Sequence, residues 1–171
     1  MSNRHETILA DFKARQLAGE HMECPRCGSF TMKPALHTNA LSRHADIYIC
    51  DGCGTEEAVL AFMSAPLPLN RWAAFQPKRP ASDFIARSST DVLSEVMRTQ
   101  VPLLIETFRQ LDRGELDSGD AEYEVYSQCA GLTDFGASPF QAQYDTADGK
   151  VLIRIRKRGD EIEYSASAFT R

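Results

Sequence analysis

The spacing of apolar residues changes along this chain, and these changes predict its elements. Near the N-terminus, Ile8, Leu9 and Phe12 share one face at helical spacing, so a helix is expected over residues 3–18. The helical period returns after residue 88, and a period of two replaces it near the C-terminus. The pattern therefore predicts an α+β fold with helices before strands.

Two or three helices are predicted in the middle of the chain. Ser88 is followed three residues later by an aspartate, which is the spacing of a capping box, so a helix should begin there. Pro102 should kink or restart that helix, since proline fits a first helical turn but not an interior. Gly114 should end the second segment, and a third helix is expected over about 118–130.

The C-terminal segment alternates between apolar and polar residues over 140–144, 151–155 and 162–168. Turn signals of the type Asp-Gly and Gly-Asp separate these runs. Alternation of this kind is typical of antiparallel strands with one buried face. We therefore expect a three-stranded antiparallel meander packed on the helices.

The length of 171 residues allows about one domain, or one domain with a small module. We expect an N-terminal helix in 1–21, a cysteine-rich module in 22–63, a connector in 64–87 and an α+β domain in 88–171. The connector is rich in proline but also carries aromatic residues. We therefore expect it to pack, with Trp72 buried against the C-terminal domain.

Four of the five cysteines form two Cys-x-x-Cys-Gly motifs, Cys24 with Cys27 and Cys50 with Cys53. Two residues between cysteines allow one tight turn to direct both sulfur atoms at a single point, and the following glycine tolerates positive φ. Four thiolates suit a tetrahedral zinc ion that has a structural role. Iron bound as in rubredoxin, disulfides and free thiols are the alternatives. In a reducing cytosol, the paired spacing favours a metal over disulfides.

Three histidines, His21, His37 and His44, lie near these motifs and could each replace a cysteine as a ligand. With four cysteines already well spaced, we interpret the histidines as surface or hydrogen-bonding residues. The fifth cysteine, Cys129, lies on a predicted helix face, and we interpret it as a small buried hydrophobic residue.

The cysteine-rich segment, about residues 22–62, resembles a zinc ribbon. A narrower resemblance rests on three stretches, of which the first is the more specific: Asn39-Ala40-Leu41-Ser42-Arg43, Ala45-Asp46-Ile47-Tyr48-Ile49-Cys50 and Cys53-Gly54-Thr55-x-Glu57-Ala58. With these, the segment resembles a ribbon module that recurs in bacterial phage-, plasmid- and other mobile-element-associated proteins. The resemblance implies a ribbon fold and one zinc ion, but no activity.

The formal net charge is −5, and its distribution is uneven. Residues 91–149 carry 3 Lys/Arg and 12 Asp/Glu, whereas 61–90 and 150–171 are each basic. This distribution argues against a general nucleic-acid coat, which needs a pervasive basic field. No apolar run has the length of about 20 residues that spans a membrane, and no signal peptide is recognised, so a cytoplasmic protein is expected.

The favoured function is that of a non-enzymatic, zinc-binding accessory protein, associated with a mobile element, that binds a host protein and interferes with a host system. The acidic segment would suit docking on a basic partner. An enzyme is the third hypothesis, although no glycine-rich phosphate loop and no catalytic triad signature is recognised.

A nucleic-acid-binding zinc-ribbon protein is the second hypothesis, although any binding to nucleic acid is expected to be weak. Its candidate residues are basic or aromatic and lie in the connector and on one strand: Arg71, Trp72, Lys78, Arg79, Arg154, Arg156 and Arg158. A tight turn at residues 159–160 would instead place Arg156 opposite Glu163 and Arg158 opposite Glu161. Such pairing is typical of a solvated sheet face.

Overall fold

The computed structural model describes residues 3–171 and divides the chain into two compact units. The first unit ends at Gln76, and the second spans Pro77–Arg171. The chain has the α+β composition predicted from its sequence, with helices and two antiparallel sheets.

Among its described residues, the first unit has two α-helices, three short 3-10 helices and one short strand pair. Helix α1 spans Asn3–Leu17 and ends close to the predicted position, where Gly19 has a φ of 77°. Strands β1 (Ala40–Leu41) and β2 (Tyr48–Ile49) form a two-residue antiparallel ladder, and helix α2 (Asp51–Phe62) follows directly. Its buried cluster combines apolar side chains with three cysteines: Phe12, Met22, Cys24, Met32, Ile47, Ile49, Cys50, Cys53, Trp72 and Phe75.

The segment around Trp72 belongs to this first unit. Trp72 is 0% exposed, which confirms the predicted burial, but the expectation that it packs against the C-terminal domain is wrong. The amides of Ala73 and Ala74 donate to the carbonyls of Arg26 (3.0 Å) and Pro25 (2.9 Å). These backbone bonds tie the proline-rich segment to the first cysteine motif, and they place the indole in the N-terminal cluster.

In the second unit, three α-helices follow a short 3-10 helix, Phe84–Ala86. Helix α3 spans Ser89–Thr99, α4 spans Val101–Asp112 and α5 spans Ser118–Gln128. The Ser88 hydroxyl accepts a hydrogen bond from the Asp91 amide at 3.2 Å, as the capping-box spacing predicts. Pro102 lies in the first turn of α4, so the chain restarts a helix there.

A four-stranded antiparallel sheet in the order β3-β4-β5-β6 completes the second unit. Its strands are β3 (Leu132–Ala137), β4 (Phe140–Asp145), β5 (Gly149–Arg158) and β6 (Glu161–Thr170). The prediction of three strands is wrong by one, because a register shift between Leu132 and Asp134 interrupts the apolar alternation of β3. Apolar residues of α3, α4, α5 and the sheet form one core.

Candidate metal centre

The first cysteine pair lies in a tight turn of the backbone. The amide of Gly28 donates to the carbonyl of Cys24 at 2.8 Å, and the amide of Cys24 donates to the carbonyl of Ser29 at 2.9 Å. Gly28 has a φ of 76°, a conformation that side chains with a Cβ rarely adopt. The expected role of this glycine is therefore confirmed, and the turn brings the side chains of Cys24 and Cys27 together.

The second cysteine pair lies at the beginning of helix α2 rather than in a second hairpin turn. Cys50 is the N-cap residue, and Cys53 lies in the first helical turn. Gly54 therefore has a helical conformation, and the expectation of a positive φ there is wrong. A Cβ on Gly54 would overlap with the Cβ of Ala40, so this glycine is required for close packing of α2 on strand β1.

The four thiol sulfur atoms lie within 4.8 Å of one another. The Sγ atoms of Cys24 and Cys53 are 3.9 Å apart, and those of Cys27 and Cys50 are also 3.9 Å apart. A tetrahedron of sulfur atoms about 2.3 Å from a central zinc has edges of about 3.8 Å. The donor set and its spacing therefore fit a tetrahedral metal ion, although the spacing alone does not identify the metal.

The surroundings of the sulfur atoms are unequal. Cys24, Cys50 and Cys53 are buried, whereas Cys27 is exposed. Burial raises the pKa of the Cys24 and Cys53 thiols, and the Cys50 amide offsets part of this effect by donating to the Cys24 Sγ at 3.3 Å. At Cys27, burial acts in the same direction, but hydrogen bonds from Ser29, and smaller ones from Cys53 and Cys24, together prevail and lower the pKa to about 7. A cation among the sulfur atoms would favour the thiolate form of all four.

A buried ionic network lies beside the cysteines. The Arg26 side chain is only 3% exposed, bonds to Glu56 at 2.5 Å and lies 3.7 Å from a carboxylate oxygen of Glu57. Burial acts to lower the pKa of Arg26, but hydrogen bonds to Glu56 and to the Cys53 sulfur raise it. Arg26 thus brings a positive charge to a cluster that becomes negative when its thiols ionise.

Glu57 connects helix α2 to the loop after strand β1. Its side chain is 1% exposed and accepts hydrogen bonds from the Ser42 hydroxyl (2.9 Å) and the Arg43 amide (2.8 Å). Ser42 and Arg43 belong to the Asn-Ala-Leu-Ser-Arg stretch, and Glu57 belongs to the stretch that begins at Cys53. The two motifs therefore meet in the fold, and their side chains fix the hairpin to the helix that carries Cys53.

Asn39 supports the loop on the other side of strand β1. Its Nδ2 donates to the carbonyls of Lys33, Ala35 and Leu36 at 3.0 to 3.3 Å, and its Oδ1 accepts from the Lys33 amide at 2.7 Å. One side chain thereby satisfies four backbone groups of a loop that has no sheet or long helix of its own.

Gln16 is a structural residue that the sequence interpretation missed. From helix α1 its amide donates to the Tyr48 carbonyl (2.7 Å) and accepts from the Tyr48 amide (2.9 Å). The side chain thus occupies a position on strand β2 where a neighbouring strand would otherwise bond. Its position four residues after Phe12, on the apolar face of α1, was the available signal.

The other candidate ligands stay outside the cluster. Within residues 3–171, the group of His, Cys, Asp and Glu side chains close enough to share a metal consists of the four cysteines. Cys129 is buried in the second unit, and burial raises the pKa of its thiol to about 11, with a smaller opposing effect of Tyr144. It behaves as the predicted buried hydrophobic residue.

The candidate nucleic-acid residues divide between the two units. Arg71 is exposed, but the neighbouring Trp72 is fully buried, so its indole offers no stacking surface. Lys78 is exposed, and the Arg79 guanidinium lies 4.2 Å from the ring centre of Tyr126. The first pair thus belongs to the cysteine unit and the second to the sheet unit.

The three strand arginines lie on one face of β5 and have partners there. Arg156 is opposite Glu163 and Arg158 is opposite Glu161, as predicted. Both guanidinium groups bond to Glu163, at 3.0 Å and 3.4 Å, and Arg154 donates to the Gln141 side chain at 3.0 Å. One carboxylate thus pairs with two of the three cations.

Comparisons with known proteins add no relative, so the interpretation of the site rests on its geometry. No family model, curated protein or solved structure gives a significant match to the chain. Among residues 3–171, no helix has the length and apolar character needed to cross a membrane.

Proposed function

We propose that Cys24, Cys27, Cys50 and Cys53 hold one structural zinc ion, so that the N-terminal unit is a zinc-stabilised module. The observation that supports this proposal is the clustering of four sulfur atoms within 4.8 Å, at separations close to the edges of a zinc-sulfur tetrahedron. Four protein ligands leave no coordination position for water or substrate, which is typical of structural rather than catalytic zinc.

The test is the metal content of protein purified under reducing conditions and measured by elemental analysis. We expect one zinc per chain in the wild type and loss of zinc in Cys27→Ser. Cys27 is exposed, so this substitution removes a ligand with little loss of packing. Cys129→Ser is the matched control, since Cys129 lies in the other unit, and it should retain zinc. Iron in place of zinc, or no metal in freshly reduced protein, would contradict the proposal.

We further propose that the chain acts as a non-enzymatic interaction protein with a basic protein partner. Support comes from the acidic segment of residues 91–149, which combines 12 acidic with 3 basic residues. Several of these acids are exposed around the loop between α4 and α5, including Glu115, Asp117 and Glu122. Opposite charges accelerate and orient association. Association with a mobile element and with a host stays a prediction from the motif resemblance.

Affinity capture at low and physiological salt tests the acidic surface. A Glu115→Gln/Glu122→Gln variant keeps the helix cap of Asp117 but removes two exposed charges. We expect a captured basic protein to bind wild type more tightly than this variant, with a difference that shrinks as salt rises. Equal binding of both proteins at every salt concentration would contradict a role for this surface.

A further inference from the structure

The two edges of the four-stranded sheet differ in how they are protected. Strand β3 has six residues, a register shift between Leu132 and Asp134 and a glycine at position 136. It is followed by the turn that contains Pro139. Short length, irregular register and charge are the features that protect natural sheet edges from pairing with another chain.

Strand β6 forms the opposite edge and lacks these features. Its ten residues pair with β5 in one unbroken register, from Glu161 opposite Arg158 to Thr170 opposite Gly149. The strand contains no proline, glycine or lysine, and none of its residues is buried. Among the strands of residues 3–171, β6 pairs with β5 alone. Alternate backbone N–H and C=O groups along the other side of β6 are therefore available for a further strand.

We propose that the occupant of this edge is β6 of a second copy of the chain, paired antiparallel about a two-fold axis at Ala166. The charges at the two ends of β6 support self-pairing. Asp160 precedes the strand and Glu161 is its first residue, whereas Arg171 follows its last residue. Antiparallel pairing with Ala166 on the axis places Glu161 of each copy opposite Arg171 of the other copy. Two such pairs therefore form, one at each end of the contact.

The rest of this register is also compatible. A two-fold axis perpendicular to the sheet keeps both helix layers on one face, so residues opposite each other point to the same side. Ser165 then lies opposite Ser167 of the second copy, and Tyr164 lies opposite Ala168. A large side chain thus meets a small one, and no like charges meet along the strand. The two sheets join into one sheet of eight strands.

The first test measures the mass of the full, metal-loaded chain by light scattering from low to high micromolar concentration. We expect a monomer–dimer equilibrium. Glu161→Arg and Arg171→Glu should each weaken the dimer by about tenfold, because each places like charges opposite one another at both ends. The double variant Glu161→Arg/Arg171→Glu should return to within about threefold of wild type. Arg109→Glu, which changes the charge on α4 by the same amount as Arg171→Glu, is the control and should leave the dimer unchanged.

The second test locates the contact by amide hydrogen exchange. Alternate amides of β6 should exchange rapidly at low concentration and become protected as the dimer forms, whereas amides at the edge of β3 should not respond. A chain that stays monomeric at every concentration would overturn the proposal. So would a dimer that is insensitive to the charge swap or that protects a surface other than β6.

Discussion

The two units of this chain are held together by different kinds of interaction. In the second unit, sixteen buried residues from helices and a four-stranded sheet form one apolar core. In the first unit, the buried cluster has ten residues, three of them cysteines, and its strands are two residues long. The second unit can derive its stability from apolar burial, whereas the first has a smaller apolar cluster, and several of its side chains bond to backbone.

This difference shows how a segment with little regular structure can still have a defined fold. Asn39, Gln16 and Glu57 each satisfy backbone groups that a longer strand or helix would satisfy elsewhere. Such bonds each contribute only about 1 kcal/mol net, which does not offset the conformational entropy of a long loop. We therefore expect the metal to provide the main stabilisation of the first unit.

Removal of the metal should have the largest effect. Structural zinc sites have apparent binding free energies of about 10–16 kcal/mol, so a strong chelator should unfold the first unit while the sheet of the second persists. Trp72, the single tryptophan of the chain, lies in the first unit, and its emission should shift to longer wavelength. Circular dichroism should retain the strand signal, and added zinc should restore the emission. Simultaneous loss of both signals would show that the units are not independent.

A cavity in the apolar core should destabilise the second unit and leave the metal content of the first unit unchanged. Leu104 is fully buried in the second unit, so Leu104→Ala should cost about 2–5 kcal/mol of unfolding free energy. Leu103, its neighbour on α4, is 39% exposed, and Leu103→Ala should cost much less. Denaturation followed by circular dichroism gives both values, and elemental analysis should find the zinc of both variants unchanged. Loss of zinc in Leu104→Ala would contradict the contrast between the units.

Loss of the buried Glu57 carboxylate in the first unit should lower the free energy of unfolding by less than metal removal or Leu104→Ala does. Glu57→Gln keeps the size of the side chain but leaves the buried Arg26 with one carboxylate partner, and we expect a cost of about 1–3 kcal/mol. Glu56→Gln is the comparison, since Glu56 bonds to the same buried guanidinium but is itself exposed, so water can reach the amide that replaces it and the cost should be smaller. Denaturation of the zinc-loaded proteins, followed by Trp72 emission, compares them. Equal costs would refute a special role for the buried carboxylate.

The sequence predicted the features that depend on neighbouring residues. The cysteine spacing, the Ser88 cap and the restart of the helix at Pro102 are local patterns, and the structure contains the clustered thiols, the cap and the second helix. The pairing of Arg156 with Glu163 also followed from a two-residue turn. The cap, the restart and the turn required only the geometry of a few consecutive residues, whereas the meeting of two cysteine pairs far apart in the chain followed from the four ligands that a tetrahedral metal needs.

Features that depend on distant partners were missed. Gln16 bonds to a residue 32 positions away, and the packing partner of Trp72 lies before it in the chain rather than after it. Helix α2 was not predicted because its first turn contains Gly52 and Gly54, which disfavour a helix unless packing requires them. Gly54 is required by the approach of Ala40. Single-sequence patterns contain no information on such contacts.

The smallest expected effect is on nucleic-acid binding by the face of β5 that carries Arg154, Arg156 and Arg158. Three free arginines on duplex DNA would give a log–log salt slope near about −3, but Glu163 already accepts bonds from Arg156 and Arg158. Titration of labelled DNA and RNA should therefore give a Kd no tighter than micromolar at physiological salt, with a shallower slope. Arg154→Ala/Arg156→Ala/Arg158→Ala should change this binding little. Nanomolar binding that persists at physiological salt and disappears in the triple variant would establish a nucleic-acid surface on the second unit. It would favour the nucleic-acid hypothesis over a protein partner, whether or not the first unit holds zinc.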